Sequence, residues 1–250
     1  MPKYFIELSY DGLNYHGWQR QPKEISIQEV IEECLTKLHS NKKIEVVGCG
    51  RTDSGVHANH FILHTYIPEV KNTSEFIFKL NCMLPDTIAI SNMYPVKDEV
   101  HARFNATYRT YRYFINQQKD PFKRGNSWYL QNKLDIDKMN HAAKLLIGEQ
   151  DFTSFSKINT DVKTNICKVK TAKWNRLEND SFYFEIIANR FLRNMVRAIV
   201  GTLVEVGIYK KQPEEVKNIL NAKDRKYASA SAPAKGLFLW KIEYPKDIKV

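Results

Sequence analysis

The chain has 250 residues, of which 43% are hydrophobic and 26% charged, proportions typical of a soluble globular protein. It has no apolar run near the roughly 20 residues that span a bilayer, and its N-terminus lacks a signal-peptide layout. We therefore expect a cytoplasmic protein with no membrane partner. The formal net charge of +10 suits a polyanionic partner, because neutralised phosphates release counterions, but charge alone also fits a merely soluble basic surface.

The first part of the chain predicts strands mixed with helices. Alternating apolar residues predict strands over residues 4–10, 44–49, 60–67, 88–96 and 108–115. Ser26 reads as a helix N-cap, with Glu29 completing a capping box, and an apolar stripe continues to Leu38. A shorter helix is expected over residues 74–83. The loop formed by residues 50–57 joins two of these strands.

A polar stretch at residues 116–125 is the expected boundary between lobes of residues 1–116 and 117–250. Beyond it the pattern predicts a short strand at 128–130 and a helix that Asp135 caps and that runs to about Ile147. A hairpin is expected from strands 167–177 and 181–188. A helix over 192–206, a short helix opened by Pro213 and a strand over 237–244 follow. The fold class is therefore α+β, with helices packed against an antiparallel sheet.

Metal and redox sites find little support in the spacing of cysteine and histidine. Cys34, Cys49, Cys82 and Cys167 lie too far apart for a zinc knuckle or a redox pair, so we expect reduced thiols. His57, His60 and His64 invite a metal interpretation, but no third ligand has convincing spacing. We expect no metal site.

The loop Gly-Arg-Thr-Asp-Ser-Gly-Val-His at residues 50–57 is the most unusual segment. Gly50 and Gly55 bracket Asp53, and glycine allows a ligand to approach the backbone closely. A loop carried by a rigid sheet is a good place to present a reactive carboxylate. The alternative is an ordinary turn in which Asp53 bonds nearby amides. A phosphate-binding loop is disfavoured, because Gly-Lys-Ser/Thr is absent and Asp53 would repel phosphate.

Two further segments could bind RNA. On the strand at residues 106–113, Arg109, Tyr111 and Tyr113 would share one face, a pattern that suits stacked bases and phosphates. The alternative is a half-buried strand with solvated arginines. If a helix reached back to Arg190, then Arg190, Arg193 and Arg197 would share one helical face. That face could contact phosphates or be merely solvated, or one arginine could be buried against Asp53.

Together these segments resemble the tRNA pseudouridine synthase A family. The resemblance covers nearly the whole chain in order: residues 10–12 and 17–19, 50–57, 101–104, 109–113, Phe191 with 195–197 and Gly201, and 232–233 with 236–237. Ser54 stands where many members carry Ala, another small residue. Such a match of ordered motifs is far more specific than any one of them.

The resemblance implies a fold of two related lobes, joined as one catalytic unit by a mixed, largely antiparallel sheet that helices flank, with a central basic cleft. It also implies a homodimer with no cofactor and no catalytic metal. The implied reaction converts uridine to pseudouridine at positions 38, 39 and 40 of the tRNA anticodon stem-loop.

The resemblance also implies the role of each site residue. Asp53 is the nucleophile, and Arg197 pairs with it to keep it charged and oriented. Tyr111 stacks on the target uracil, and its hydroxyl assists proton removal from carbon 5. Arg51 and Arg103 bind the substrate, with Arg51 acting where the target nucleotide is extruded from the stem. A salt bridge of Arg197 that only supports the fold is the alternative.

The chemistry needs few groups, because the isomerisation neither gains nor loses an atom. An attacking carboxylate and a dry pocket that retains the detached base suffice. The residues leave open whether Asp53 attacks ribose carbon 1′ or uracil carbon 6. Two rival classes are a noncatalytic RNA-binding module, which gives Asp53 no purpose, and a nuclease or hydrolase, which normally needs a second carboxylate or a metal.

Overall fold

The structure is a computed structural model that describes residues 1–157 and 163–250. In that part of the chain it contains ten strands and five α-helices, which confirms the predicted α+β class. The chain forms two compact units. Unit 1 comprises Met1–Thr107 and Leu239–Val250, and unit 2 comprises Tyr108–Phe238. No helix of the described residues is long and apolar enough to span a membrane.

Unit 1 has β1 at its centre. β1 pairs antiparallel with β3 and β4, β2 pairs antiparallel with β3, and β10 lies beside β3. The strands are β1 (Lys3–Tyr10), β2 (Val46–Gly48), β3 (His57–Tyr66), β4 (Ile88–Val96) and β10 (Leu237–Glu243), whose first two residues belong to unit 2. The helices are α1 (Ile27–Leu38) and α2 (Thr73–Met83). Ser26 Oγ accepts from the Glu29 N–H at 3.2 Å, as the predicted N-cap requires.

Burial of β1 on both faces anchors unit 1. Ile6 and Phe5 point to opposite faces, yet both are fully buried. The ring of Tyr244 packs edge-on against Phe5 at 5.2 Å. Although its apolar and polar residues roughly alternate, β1 is therefore a central strand with both faces covered.

Unit 2 has strand order β5-β9-β8-β7, with antiparallel pairs along that path, while β6 pairs parallel with β5. Its strands are β5 (Tyr108–Asn116), β6 (Trp128–Tyr129), β7 (Gly148–Asp151), β8 (Ile166–Arg176) and β9 (Ser181–Ala188). Its helices are α3 (Ile136–Lys144), α4 (Met195–Gly207) and α5 (Glu215–Ala222). The predicted hairpin of β8 and β9 is confirmed. Its turn contains Asn179 and Asp180, both at positive φ.

Several elements differ from the sequence-based expectation. α4 begins at Met195 and not at residue 192, because Asn194 has a left-handed φ of 64°. α5 begins at Glu215, so Pro213 lies before it. α3 ends at Lys144, and β7 follows with a sequence, Gly-Glu-Gln-Asp, that has little strand propensity. β7 exists because it pairs with β8, a contact that local pattern does not encode.

The compact units do not share the bounds of the predicted lobes, residues 1–116 and 117–250, and those lobes stay a prediction. The boundary falls at Thr107 and Tyr108, before β5, and the C-terminal residues return to unit 1. The polar stretch at 116–125 is internal to unit 2, where Ser127 Oγ donates to Asn116 Oδ1 at 2.6 Å. Its polarity reflects a turn between β5 and β6.

Candidate active site

The Asp53 loop is a tight turn that leads directly into β3. The Val56 N–H donates to the Asp53 carbonyl at 3.1 Å, and Gly55 has a φ of +74°. Ser54 does not have a positive φ, whereas Gly55 does. This φ pattern is that of a type II turn, which favours glycine at its third position. The Asp53 side chain is half-buried. The local geometry therefore presents a carboxylate on a turn at the start of a central strand.

The segment between β1 and α1 braces this turn through its backbone. Trp18 N–H donates to the Thr52 carbonyl at 3.2 Å, while the Tyr15 carbonyl accepts from both the Gly55 N–H and Ser54 Oγ at 3.2 Å. Gly17, at φ +87°, makes this approach possible, because a Cβ there would lie 2.4 Å from the Thr52 oxygen. The brace holds the backbone on both sides of Asp53.

Aromatic side chains hold the segment between β1 and α1 against β3. The Trp18 ring stacks on Phe61 of β3 at 4.0 Å, and the Tyr10 ring lies 5.6 Å from Phe61. The Tyr10 hydroxyl lies 2.9 Å from Thr52 Oγ1 in a buried hydrogen bond. The loop is thus fastened to the core of unit 1, which limits the motion of Asp53.

His57 closes the other end of the loop. Its Nδ1 lies 3.2 Å from the Gly12 N–H and 2.9 Å from Asp11 Oδ1. Unprotonated Nδ1 accepts from Gly12, whereas a proton on Nδ1 would be donated to Asp11. With the His57 side chain only 2% exposed, either arrangement ties β3 to the end of β1.

Arg51 and Arg103 both belong to unit 1 and are both exposed. Arg51 lies within the Asp53 loop, next to Thr52. Arg103 lies in the segment that connects β4 to β5, where its guanidinium carbon is 5.7 Å from the centre of the Phe104 ring. Their roles in binding substrate stay predictions.

Tyr111 lies in the middle of β5, in unit 2. Its half-buried ring packs edge-on against Phe191 at 5.0 Å. Tyr113, on the same strand face, is fully buried and donates its hydroxyl hydrogen to the Pro233 carbonyl at 2.8 Å. Arg112 pairs with Glu185 across the sheet at 2.8 Å. The contact of Tyr111 with substrate stays a prediction.

Arg197 lies in the first turn of α4, also in unit 2. Its Nε–H donates to the Ala232 carbonyl at 2.7 Å, and its own carbonyl accepts from the Ala232 N–H at 3.0 Å. This reciprocal pair fixes the guanidinium on the segment before β10. The side chain is half-buried and therefore oriented by the fold.

The proposed arginine face does not form. Arg190 and Arg193 precede the first helical residue, Met195, so only Arg197 of the three lies on α4. The left-handed residue Asn194 breaks the helical periodicity on which that face depended.

The histidines of β3 have protein partners. His64 Nδ1 accepts from the Ala102 N–H at 3.1 Å, and burial, with His101 and Lys3 nearby, lowers the pKa of His64 to about 4. His60 Nδ1 accepts from the Ile242 N–H at 3.3 Å. Among residues 1–157 and 163–250, no three His, Cys, Asp or Glu side chains are placed to hold a metal ion.

Comparison with known proteins identifies the family. A family model described as tRNA pseudouridine synthase matches residues 8–105 and 142–245. The tRNA pseudouridine synthase A of Bacteroides thetaiotaomicron is 47% identical over 250 residues, covering 99% of this chain and 93% of that protein. The protein of the same name from Bacillus subtilis is 41% identical, covering 95% of this chain and 97% of its own. This chain belongs to the tRNA pseudouridine synthase A family.

The family's enzymes are isomerases that convert uridine to pseudouridine in tRNA. The family model covers Arg51, Asp53, Arg103 and Arg197, whereas Tyr111 lies between its two matched ranges. Among solved structures, a chain of a Cbf5–Nop10–Gar1 complex covers 80% of this chain and 54% of its own. With 13% identity and a TM-score of 0.34, that likeness is too weak to support a statement about the fold.

In this member of the synthase family, the amino-acid sequence alone does not indicate a role for the residues that brace the Asp53 loop. They are Tyr10, Tyr15, Gly17 and Trp18. The signal for them was the pair of glycines at 12 and 17 within a short polar loop, which indicates close backbone approach. What they approach is decided by tertiary contacts.

Proposed function

We propose that this chain isomerises uridine to pseudouridine at positions 38, 39 and 40 of the tRNA anticodon stem-loop, with Asp53 as the nucleophile. The observation that carries the proposal is the braced type II turn, which holds Asp53 through hydrogen bonds at Thr52, Ser54 and Gly55. A carboxylate held in this way suits covalent catalysis, because misplacement of a reacting group is costly in rate.

The proposed reaction balances without a cofactor or a metal. Attack by the Asp53 carboxylate, at ribose carbon 1′ or uracil carbon 6, leads to cleavage of the bond between carbon 1′ and nitrogen 1. The uracil turns, and carbon 5 then bonds to carbon 1′. Carbon 5 loses its proton and nitrogen 1 ends with one, while the carboxylate is regenerated. The pocket must hold the detached base and exclude water.

In this proposal Tyr111 stacks on the target uracil, and its hydroxyl assists removal of the carbon 5 proton. Arg197 pairs with Asp53 and orients it. The reciprocal bonds of Arg197 with Ala232 support this role, because they fix the guanidinium in one orientation. If the salt bridge of Arg197 only supported the fold, an Arg197 variant would react at the wild-type rate once its loss of stability is corrected for.

RNA binding is assigned to the basic surface, with Arg51 at the extruded nucleotide and Arg103 on the same substrate. The exposure of both arginines and the net charge of +10 support this assignment. We further propose that residues 1–116 and 117–250 act as two related lobes of one catalytic unit with a central basic cleft. The enzyme works as a homodimer in the cytoplasm.

Release of tritium from carbon-5-labelled uridine in tRNA, with no metal added, tests the function. Purified wild-type protein should release tritium and form pseudouridine. Asp53→Asn keeps the size of the side chain but removes its charge, so it should abolish release while tRNA affinity stays within a few fold. Near-normal turnover by Asp53→Asn would show that the nucleophile is another residue.

The same assay separates the rival classes. A noncatalytic RNA-binding module would bind tRNA and release no tritium. A nuclease or hydrolase would cleave the RNA or liberate free uracil. Activity that chelation abolishes and zinc or magnesium restores, with tRNA folding controlled, would contradict a metal-free reaction.

A further inference from the structure

Phe104 presents a large apolar ring to solvent in the segment that connects β4 to β5. The residue is 74% exposed, although single exposed hydrophobic residues are common and carry no meaning by themselves. What distinguishes Phe104 is how its ring is held. The ring packs on other rings, hydrogen bonds hold the backbone that carries it, and cationic side chains lie nearby.

The Phe104 ring is the outer end of a ladder of rings that begins in the core. It packs on the ring of His101 at 4.3 Å, and His101 meets His64 edge-on at 4.7 Å. His64 in turn stacks with Phe5 at 6.4 Å, and Phe5 is fully buried. An exposed ring with this support has little freedom to lose when a ligand binds.

His101 also fixes the backbone that carries the ring. Its Nδ1 accepts from the Arg103 N–H at 3.0 Å and from the Phe104 N–H at 3.4 Å. Asn105 Oδ1 accepts from the His101 N–H at 2.8 Å. Burial, with Lys3 and Arg103 nearby, lowers the pKa of His101, which favours the neutral ring that these two hydrogen bonds require.

Two cationic side chains lie near these rings. The Arg103 guanidinium carbon lies 5.7 Å from the centre of the Phe104 ring. Lys3 is buried, and its ammonium donates to the Val100 carbonyl at 3.0 Å and lies 4.0 Å from Asp98 Oδ1. A rigid ring beside an arginine is the combination that binds a nucleobase and its phosphate.

We propose that Phe104 is a stacking platform for an unpaired base of the bound RNA, with His101 as its positioning residue and Arg103 contacting the adjoining phosphate. RNA as the partner rests on the proposed function. The base is a different one from the target uridine. His64, which supports the ladder, lies seven residues along β3 from His57, so the ladder and the Asp53 turn lie towards opposite ends of that strand. The platform therefore serves binding and leaves the chemical step to Asp53.

Substitution of Phe104 tests the platform through tRNA affinity and single-turnover rate. Phe104→Ala should weaken tRNA binding roughly 5- to 150-fold, the range for loss of one stacked base, while the rate at saturating tRNA stays unchanged. Phe104→Tyr should bind like wild type. Phe104→Leu keeps apolar volume without a π-face and should resemble Phe104→Ala. Phe78→Ala, which removes another exposed phenylalanine of unit 1, is the matched control and should have no effect.

Abasic tRNAs identify the stacked base. Unpaired bases are removed one at a time, leaving the phosphate in place. One such tRNA should bind wild-type protein as weakly as intact tRNA binds Phe104→Ala, and should bind both proteins equally. If Phe104→Leu binds as tightly as wild type, or if every abasic tRNA distinguishes the two proteins, stacking is overturned.

The role of His101 has its own readout. His101→Ala should weaken binding as Phe104→Ala does, and the double variant should lose little more, because both changes remove one platform.

The affinity ratio of wild type to Phe104→Ala should shrink as pH falls through the pKa of His101, since protonated Nδ1 cannot accept from the backbone. His64, Lys3 and Arg103 are the titratable or charged groups around that ring, and the ratio cancels titrations elsewhere. Full additivity or a constant ratio would refute the positioning role.

Two further outcomes keep the proposals separate. If Phe104→Ala converts a dimer to a monomer by light scattering and tRNA affinity falls only with that conversion, the ring contacts a second copy and the platform is refuted. If wild-type protein binds tRNA through Phe104 but forms no pseudouridine, the proposed function fails and the platform stands.

Discussion

Tyr111 and Tyr113 share one face of β5, but their surroundings differ. Burial raises the pKa of the Tyr113 hydroxyl, which is committed to the Pro233 carbonyl. Tyr111 is half-buried, and Phe191 supports one side of its ring. Sequence periodicity treats these residues alike, whereas packing buries Tyr113 fully and leaves Tyr111 half-buried.

Substitutions at Tyr111 separate stacking from proton transfer. Tyr111→Phe removes only the hydroxyl, so it should slow single turnover roughly 10²–10⁴-fold with little loss of tRNA binding if the hydroxyl assists proton removal. If the ring only positions the base, Tyr111→Phe should be nearly as active as wild type. Tyr111→Ala should in addition lose about 1–3 kcal/mol of stacking. Wild-type behaviour of Tyr111→Ala would place the ring outside the site.

His64 should make folding stability depend on pH. Its pKa is lowered from 6.5 to about 4 in the folded protein, mainly by burial, so the unfolded state binds a proton more readily. The contribution of neutral His64 to the free energy of unfolding is complete above the pKa of His64 in the unfolded state. It is lost as pH falls from about 6.5 towards 4, and it reaches at most about 3 kcal/mol. Urea unfolding at pH 7.5 and pH 5 should show a smaller change for His64→Gln than for wild type. Equal changes in both proteins would contradict this prediction.

At the scale of elements, the site depends on one backbone segment that packs against another. The turn that carries Asp53 is held by the residues between β1 and α1, and both segments rest on β3. Neither segment has regular secondary structure, so their geometry depends on glycine at special backbone angles. Glycine substitutions therefore test the brace without touching a functional group.

Gly17→Ala and Gly50→Ala form a matched pair. At Gly17 an added Cβ would lie 2.4 Å from the Thr52 oxygen and φ is +87°, whereas an added Cβ at Gly50 would have no heavy atom within 4 Å. Gly17→Ala should lower the free energy of unfolding by on the order of 2 kcal/mol and slow single turnover about 10²-fold by displacing Asp53. Gly50→Ala should change stability by less than about 0.5 kcal/mol. Urea denaturation and tritium release measure both effects, and equal rates for the pair would contradict the bracing role.

At the scale of the whole molecule, charge governs the encounter with RNA. The formal net charge of +10 is spread over the chain and includes the exposed Arg51 and Arg103. Long-range attraction of this kind speeds association and is screened by salt. It does not by itself select a nucleotide, which is left to close contacts.

Affinity for tRNA should fall steeply with salt concentration. A plot of the logarithm of the binding constant against the logarithm of salt concentration should have a slope of roughly −0.7 to −0.9 per phosphate neutralised. Phe104→Ala should lower affinity without changing that slope, because it removes no charge. Arg103→Ala should make the slope shallower by about one phosphate. A binding constant that is insensitive to salt would contradict electrostatic binding.

Most elements and the candidate nucleophile could be predicted from the amino-acid sequence. The Ser26 cap, the strand at Ile88–Val96 and the β8–β9 hairpin follow from local hydrogen bonding and periodicity, which neighbouring residues encode. Ordered motifs likewise identified the family and singled out Asp53. The start of α4 could not be predicted in this way, because a left-handed Asn194 leaves no mark in an apolar pattern.

The surroundings of each functional residue, in contrast, depend on tertiary packing. The brace on Asp53, the ladder under Phe104 and the bonds between Arg197 and Ala232 all join residues far apart in the chain. Their partners depend on which strands become neighbours, and β7 exists only because β8 lies beside it. Burial then separates Tyr111 from Tyr113, although both occupy equivalent places in the strand pattern. Local periodicity encodes which face a side chain shares, whereas packing decides what covers that face.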